Sequence, residues 1–145
     1  KDRTISGFLH YFESIGSGDA FRQMCILDAL ILNTDRHSGN FGVLYQNDTM
    51  QVQKMAPVFD NNRSLLFDLD DDQLNHTEWC IRHCSPRLGV DFITTARGLM
   101  TDAIRSDLKN LRNFCFEQHP KFQAPQDRLD SLIQIMQRQL KETLA

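Results

Sequence analysis

The sequence lacks several features that would assign it to a class of protein directly. None of its apolar runs approaches the roughly eighteen residues that a membrane-spanning helix requires, and its first residues do not form a signal-peptide pattern. Its 16 Lys and Arg residues do not exceed its 19 Asp and Glu residues, so the net charge of −3 provides no basic surplus for general nucleic-acid binding. We therefore expect a soluble, cytoplasmic protein that binds neither membranes nor nucleic acid directly.

The placement of the cysteines does not indicate a disulfide framework. The four cysteines are scattered among apolar, helix-like positions, a pattern typical of proteins in a reducing compartment. The sequence contains no internal repeat and no low-complexity segment. With 145 residues, 41% of them hydrophobic, the chain is long enough to bury one core. We expect one domain without disulfides.

The spacing of apolar residues is mainly helical. Residues 19–32 repeat apolar side chains with the period of a buried helix, for which Ser17 or Asp19 is the expected cap. Residues 41–45 and 50–55 flank a polar turn and predict a short β-hairpin. Further helices are predicted at about residues 74–84, 91–99 and 101–118, and from Pro125 onwards. The predicted fold class is mainly α, with one short hairpin.

A dense polar segment follows the first long predicted helix. Residues 33–40 read Asn-Thr-Asp-Arg-His-Ser-Gly-Asn, which predicts a loop rather than a core element. Because a hairpin returns the chain to its starting point, Asp35 and Asn40 before it are expected to lie near Asp60 after it. Phosphoryl transfer requires an oriented nucleophile and a divalent metal, and an amide oxygen with a carboxylate suits Mg²⁺. The remaining aspartate would accept or orient the proton of a substrate hydroxyl.

These residues resemble a known family of kinases. The spacing of Asp35 and Asn40 is that of the protein-kinase catalytic loop, although the order Asp-Arg-His differs from His-Arg-Asp. Residues 33–42, together with residues 56–61, resemble the HipA-like serine/threonine kinases, and phosphatidylinositol kinases are more distantly similar. The resemblance implies that residues 1–145 form the helical C-terminal lobe of a protein-kinase-like fold, with ATP and Mg²⁺ as cofactors.

The resemblance also implies a role for each residue of the motif. Asp35 would be the catalytic base, and Asn40 and Asp60 would bind the metal and, through it, ATP. Arg36 and His37 would shape the loop, and His37 is also a candidate for direct participation in catalysis. Asn61 occupies the place of the glycine familiar from protein kinases, where a left-handed backbone is expected. Asparagine tolerates that conformation better than most residues.

The resemblance extends to biological context. Some HipA-like kinases are bacterial toxins, which implies an aminoacyl-tRNA synthetase as substrate and an antitoxin as inhibitor, by analogy. A kinase also requires a lysine on an N-lobe strand, but Lys1 and Lys54 are the only lysines before residue 100 and neither lies in such a lobe. We therefore expect the N-lobe to be a further segment or a separate chain, and the 145 residues alone to be inactive.

Several alternatives remain open from the sequence. The chain is alternatively a kinase relic that binds nucleotide or a partner without catalysis, or part of a lipid or small-molecule kinase. In a separate alternative, Asp35 and Asn40 have no functional role: Asp35 caps the next turn, and Asn40 holds a tight bend beside Gly39. The acidic residues 68–72 lack the glycine and glutamate of a calcium loop, so a solvated loop is predicted there. Residues 16–18 lack the third glycine of a phosphate loop, so a helix start is predicted there.

A four-residue set on the predicted 74–84 helix has the spacing of zinc ligands, but ordinary core packing beside Trp79 is the favoured interpretation. The set consists of His76, Cys80, His83 and Cys84.

Overall fold

A computed structural model describes residues 4–145, which form a mainly helical domain. Over this range the chain has seven α-helices and one antiparallel hairpin. The helices are α1 (Ile5–Ser14), α2 (Gly18–Ile31), α3 (Asp71–Leu74), α4 (Thr77–His83), α5 (Phe92–Gly98), α6 (Asp102–Lys109) and α7 (Gln126–Leu144), and the strands are β1 (Val43–Tyr45) and β2 (Val52–Met55). None of the helices within residues 4–145 combines the length and the apolar character that crossing a membrane requires.

Helix α2 is the centre of the fold. It packs against α1, α5 and α7, and Phe21, Met24 and Leu30 of its apolar repeat are buried, whereas Leu27 is 37% exposed. Burying each such side chain contributes roughly 1.5–3 kcal/mol, so this helix supplies a large part of the hydrophobic stabilisation. The helix predicted for residues 19–32 is confirmed. The predicted C-terminal helix is confirmed as α7, which packs against α2 and α5.

A cluster of four phenylalanines joins α1 and α2 to the start of the hairpin. Phe12 stacks on Phe21 with ring centroids 5.2 Å apart, and Phe41 meets the edges of Phe8 and Phe21 at 5.0 and 5.7 Å. Offset and edge-to-face aromatic pairs add about 0.5–1.5 kcal/mol beyond their buried area. Because Phe41 directly follows Asn40, this cluster holds the end of the polar loop against the two helices.

The hairpin is fixed to the beginning of α2. Its strands pair Val43 with Met55, and the peptide nitrogen of Ala56 donates to the carbonyl of Gly42 at 2.8 Å. The backbone N–H of Met55 donates to the hydroxyl of Ser17 at 3.0 Å. The predicted hairpin is confirmed, with shorter strands. Ser17 does lie at the N-terminal cap position of α2, but its side chain does not cap the helix because its hydroxyl binds the end of β2 instead.

The segment after the hairpin differs from the prediction. The acidic stretch is not simply a solvated loop: Asp70 accepts a hydrogen bond from the backbone of Gln73 and starts α3, while Asp71 pairs with Arg128 of α7 at 2.8 Å. The helix predicted for residues 74–84 is instead two short helices, since α3 ends at Leu74 and a new helix begins after His76. The capping box at Asp70 favours an early helix start that apolar spacing alone does not reveal.

The helix predicted for residues 101–118 is also too long. Helix α6 ends at Lys109 and continues only as a 3₁₀ turn, Asn110–Asn113, after which Phe114 is extended. Cys115 is therefore exposed rather than part of the buried face that includes Ile104 and Leu108. The expectation that Trp79 packs in the core is wrong as well. Trp79 is 43% exposed and stacks on His83, with ring centroids 4.9 Å apart.

Several residues other than glycine adopt left-handed backbone conformations near the polar loop. Leu32 has φ 51° and ends α2, Asp60 has φ 56°, and the neighbours Leu65 and Leu66 have φ 54° and 55°. Each such conformation costs roughly 1–2 kcal/mol in an L-residue. Leu32 and Leu66 are each 2% exposed, so burial of their side chains offsets this cost.

Met50 also has a left-handed backbone, at the end of the hairpin turn, but its side chain is 67% exposed and gains little from packing. Substitution Met50→Gly should therefore raise the free energy of unfolding by roughly 0.5–1 kcal/mol, since glycine adopts this conformation without strain. Urea denaturation followed by circular dichroism measures the change. Thr49→Gly is the matched control, because Thr49 has no left-handed φ and should show no gain. Equal effects at the two positions would contradict the explanation.

Candidate functional site

The loop of residues 33–40 is closed by its own asparagine side chains. Asn33 is fully buried; its amide nitrogen donates to Asp28 at 3.0 Å, and its amide oxygen accepts the backbone N–H of Asp35 at 3.1 Å. At the other end, the amide nitrogen of Asn40 donates to the carbonyl oxygen of Asp35 at 2.9 Å. The structure therefore places Asp35 and Asn40 next to each other. Within residues 4–145 no partner bonds the amide oxygen of Asn40, which is the atom that a cation would use.

Arg36 is the central residue of this region, and its side chain is buried with only 1% exposure of the residue. Its guanidinium donates to both carboxylate oxygens of Asp28, at 2.8 and 2.9 Å. It also donates to the carbonyl oxygens of Asn40 and Phe59, at 2.8 and 2.6 Å, and to the side-chain oxygen of Asn61. One side chain thus connects helix α2, the polar loop and the segment beyond the hairpin.

Asp60 reaches this site through its neighbours. Phe59 and Asn61 on either side of it are both hydrogen-bonded to Arg36, which also binds the carbonyl of Asn40. The side chain of Asp60 is exposed, and the backbone of Asp60 lies between two residues that share Arg36 with the carbonyl of Asn40. Backbone hydrogen bonds tie the following segment to the end of α2, from Thr34 to the carbonyl of Arg63 and from Leu65 to that of Ile31, at 3.1 and 2.7 Å.

The expectation for Asn61 is wrong in one respect. The left-handed residue of this turn is Asp60, with φ 56°, and Asn61 has no positive φ. Asn61 instead supplies a side-chain acceptor to Arg36. A glycine at this position could not make that bond, so asparagine here serves the buried network rather than backbone flexibility.

Asp35 carries the most strongly influenced carboxylate of the site. Arg87 donates a hydrogen bond to one of its oxygens at 2.6 Å, and the guanidinium of Arg63 lies 3.9 Å from the other. The hydrogen bond from Arg87 is the largest influence and lowers the pKa of Asp35; burial opposes it, and the charges of Arg87, Arg63 and His37 lower the pKa further. Asp35 is therefore ionised at neutral pH, as a proton acceptor must be.

His37 holds the shape of the loop. Its Nδ1 accepts the backbone N–H of Gly39 at 3.0 Å, and its carbonyl oxygen accepts the N–H of Asn40 at 2.8 Å. Both bonds lie within the tight turn that delivers Asn40 to Asp35. The structural role expected of His37 is therefore evident in the geometry, and its direct participation in catalysis stays a prediction.

Metal binding is restricted by the residues available. Over residues 4–145, no group of three or more His, Cys, Asp or Glu side chains is arranged to hold a metal ion. Asn40 and Asp60 would supply at most a pair of oxygen ligands, which suits Mg²⁺, an ion commonly bound by one or two protein oxygens together with phosphate and water.

The zinc alternative loses support. Cys80 is completely buried and its thiol donates to the carbonyl of Gln73 at 3.1 Å, while the ring of His83 stacks on Trp79. Burial, followed by the charge of Asp68, raises the pKa of the Cys84 thiol to about 11. Zinc binds the thiolate form, which this environment disfavours.

Sequence reasoning missed three residues of the site, namely Asp28, Arg63 and Arg87. Asp28 had a detectable signal, because it is a lone acid within the apolar repeat of α2 and is 5% exposed. The two arginines had none, since they lie on segments that only the folded chain brings to Asp35.

Comparison of the chain with protein-family models, curated proteins and solved structures gave no match.

The buried pair of Asp28 and Arg36 gives a stability prediction. Asp28→Asn should lower the free energy of unfolding by about 3–5 kcal/mol, because it leaves a buried guanidinium without its counter-charge. Chemical denaturation measures this loss. Asp19→Asn is the matched control on the same helix: its side chain is 77% exposed and its pair with Arg22 is long, at 3.4 Å, so the change should stay within about 0.5 kcal/mol. Similar losses in both variants would rule out the buried pair as the cause.

The contact with Arg87 gives a titration prediction. Arg87→Gln should raise the pKa of Asp35 towards its ordinary value of 3.8, because it removes the largest cause of the lowered pKa. Carboxyl ¹³C NMR across the acid range measures the shift. A lowered folded-state pKa contributes stability that is present above pH 3.8 and is lost as the pH falls through the lowered value, so the variant should also lose stability less steeply in acid. Arg112→Gln removes the same charge elsewhere and should leave the pKa of Asp35 unchanged. An unchanged value in Arg87→Gln would contradict the assignment.

Proposed function

We propose that this chain is the C-terminal catalytic lobe of an ATP- and Mg²⁺-dependent serine/threonine protein kinase of the HipA-like type. The observation that carries the proposal is the hydrogen-bonding of Arg36. It connects the loop bearing Asp35 and Asn40 to the residues on both sides of Asp60. The backbone segments that carry Asp35, Asn40 and Asp60 share this one support, and such a support suits phosphoryl transfer, which depends on the positioning of reactants.

The proposed roles follow the chemistry of each group. Asp35 is ionised and accepts or orients the proton of the substrate hydroxyl as it attacks the γ-phosphate. The amide oxygen of Asn40 and the carboxylate of Asp60 hold Mg²⁺, which neutralises charge on the phosphate oxygens. Arg36 and His37 act as positioning residues, since both bind the loop rather than point towards reactants. The other half of the site, with the lysine that holds the α- and β-phosphates, would come from an N-terminal lobe.

A protein substrate is proposed from the resemblance to HipA-like kinases. The acidic residues 68–72 do not strengthen this proposal, because Asp70 caps α3 and Asp71 pairs with Arg128. An aminoacyl-tRNA synthetase substrate and an antitoxin partner, acting in a toxin–antitoxin system, remain proposals by analogy. The lipid or small-molecule kinase and the non-catalytic relic are the competing functions.

The proposal is tested by joining the chain to its N-terminal lobe and measuring transfer of ³²P from ATP to a protein substrate. Asp35→Asn should reduce the rate by roughly 10²–10⁴-fold, as loss of a general base does, and Asp60→Asn should reduce it at least as much by weakening the metal site. Asp48→Asn in the exposed hairpin turn is the control and should retain full activity. Full activity in either site variant would exclude the proposed mechanism, and transfer only to lipid or small molecules would favour the competing kinase class.

A further inference from the structure

Asp35 lies between two arginines that come from different parts of the chain. Arg87, in the segment between α4 and α5, contacts one carboxylate oxygen at 2.6 Å, and Arg63, after the hairpin, lies 3.9 Å from the other. Both arginine side chains are 57% exposed, whereas the side chain of Asp35 is 22% exposed. The two guanidinium groups therefore form the solvent side of the site, with Asp35 below them.

The charges at this point do not balance. Two guanidinium groups face one carboxylate, and the charged groups that act on Asp35 are Arg87, Arg63 and His37, without a second carboxylate among them. Arg36 contributes nothing to this surplus because Asp28 neutralises it within the protein. The immediate surroundings of the Asp35 carboxylate therefore carry an excess of positive charge, although the proposed site also includes the exposed carboxylate of Asp60.

The two exposed arginines also have hydrogen-bonding capacity to spare. A guanidinium has five N–H donors, and Arg87 uses one nitrogen, Nη1, for Asp35. Arg63 lies over the ring of Phe67 at 5.6 Å, which holds its side chain without using its donors. Exposed ion pairs are weak, so an anion with more acceptor oxygens can replace the carboxylate as the partner of Arg87. Phosphate is such an anion, since its oxygens match the planar fork of arginine.

We propose that Arg87 and Arg63 bind the polyphosphate group of the phosphate donor beside Asp35, and that Arg87 exchanges the carboxylate of Asp35 for phosphate oxygens when the donor binds. The assignment of this anion as the donor rests on the proposed kinase function. The exchange has a consequence for the base: the oxygen of Asp35 that Arg87 occupies becomes accessible to the substrate hydroxyl only after the donor is in place. Binding of the phosphate donor and release of the Asp35 carboxylate from Arg87 thus occur together.

Inorganic tripolyphosphate tests the anion site on the 145-residue chain itself. Titration followed by ¹H–¹⁵N NMR should give saturable shifts at the side-chain signals of Arg87 and Arg63, with a dissociation constant on the order of millimolar, as suits two exposed cations. Arg87→Gln should weaken binding about tenfold, since a hydrogen bond to a charged group is lost. Arg87→Lys keeps the positive charge but not the planar guanidinium. Its affinity for tripolyphosphate should therefore lie between those of the unchanged chain and of Arg87→Gln. Asp35→Asn should tighten binding severalfold because it frees Arg87 and removes the competing negative charge.

The control is Arg112→Gln, which removes the same charge from an exposed position on the 3₁₀ turn and should leave the affinity unchanged. If Arg87→Gln and Arg112→Gln weaken tripolyphosphate binding equally, the binding reflects only diffuse electrostatic attraction, and the proposal is overturned. Unchanged or weaker binding in Asp35→Asn would overturn the exchange. If Arg87→Gln disturbs the NMR spectrum as a whole, Arg63→Gln replaces it, and an unchanged affinity in that variant would overturn the two-arginine site.

A second measurement separates this proposal from the proposed function. In the protein joined to its N-terminal lobe, Arg87→Gln should raise the KM for ATP, whereas Asp35→Asn should lower kcat. If Asp35→Asn abolishes transfer but Arg87→Gln leaves the KM for ATP unchanged, the proposed arginine site is excluded and the proposed kinase function is supported. If tripolyphosphate binds through Arg87 but Asp35→Asn retains full transfer, the anion site is supported and the proposed kinase mechanism is excluded.

Discussion

The buried ion pair between Arg36 and Asp28 is the interaction on which the rest of the site depends. Two charges lose their hydration inside the core, and the loss is tolerated because every guanidinium nitrogen is bonded and both carboxylate oxygens accept. Removing either charge would leave the other uncompensated. The pair therefore links stability to site geometry, since the same guanidinium that satisfies Asp28 also holds Asn40 and the turn around Asp60.

The backbone around this pair carries considerable strain. Leu32, Asp60, Leu65 and Leu66 are left-handed without being glycine, and all four lie where the chain enters or leaves the site. Such conformations persist only where surrounding contacts over-determine them, and they concentrate at functional sites. Here the contacts are the burial of Leu32 and Leu66 and the backbone bridge from Leu65 to Ile31. Core packing thus offsets the strain of a backbone that holds the polar groups in one particular arrangement. A loop that only connects two elements would not require such strain.

The electrostatics of the site fall into two layers. Arg36 lies inside, neutralised by Asp28 and unavailable to solvent, whereas Arg87 and Arg63 lie outside and hold Asp35 through a weak, exposed contact. The inner layer needs the low dielectric of the core and cannot rearrange without loss of stability. The outer layer is screened by water and exchanges partners easily. The region around Asp35 thus combines a rigid, buried support with a solvent-exposed layer of weak ion pairs.

Much of the fold was readable from the sequence where local pattern decides structure. The apolar repeats of α2 and α7 and the polar turn of the hairpin are strong signals, and all three elements were predicted correctly. Prediction failed where local and tertiary effects compete. The capping box at Asp70 begins α3 early, and α6 stops at Lys109, although apolar spacing favoured one longer helix in each case. The exposure of Trp79 was likewise not readable, because no local rule specifies which face of a short helix meets the core.

The sequence by itself determined the helical class and the hairpin, because helical period and turn chemistry act over short distances; it also predicted the grouping of Asp35, Asn40 and Asp60 as one candidate site. Tertiary structure alone decided the partners of those residues. Asp35 meets Arg87 across 52 positions, and Asn61 accepts from Arg36 across 25. Such contacts depend on how separate segments pack against α2, and the spacing of residues along a chain contains no measure of that packing.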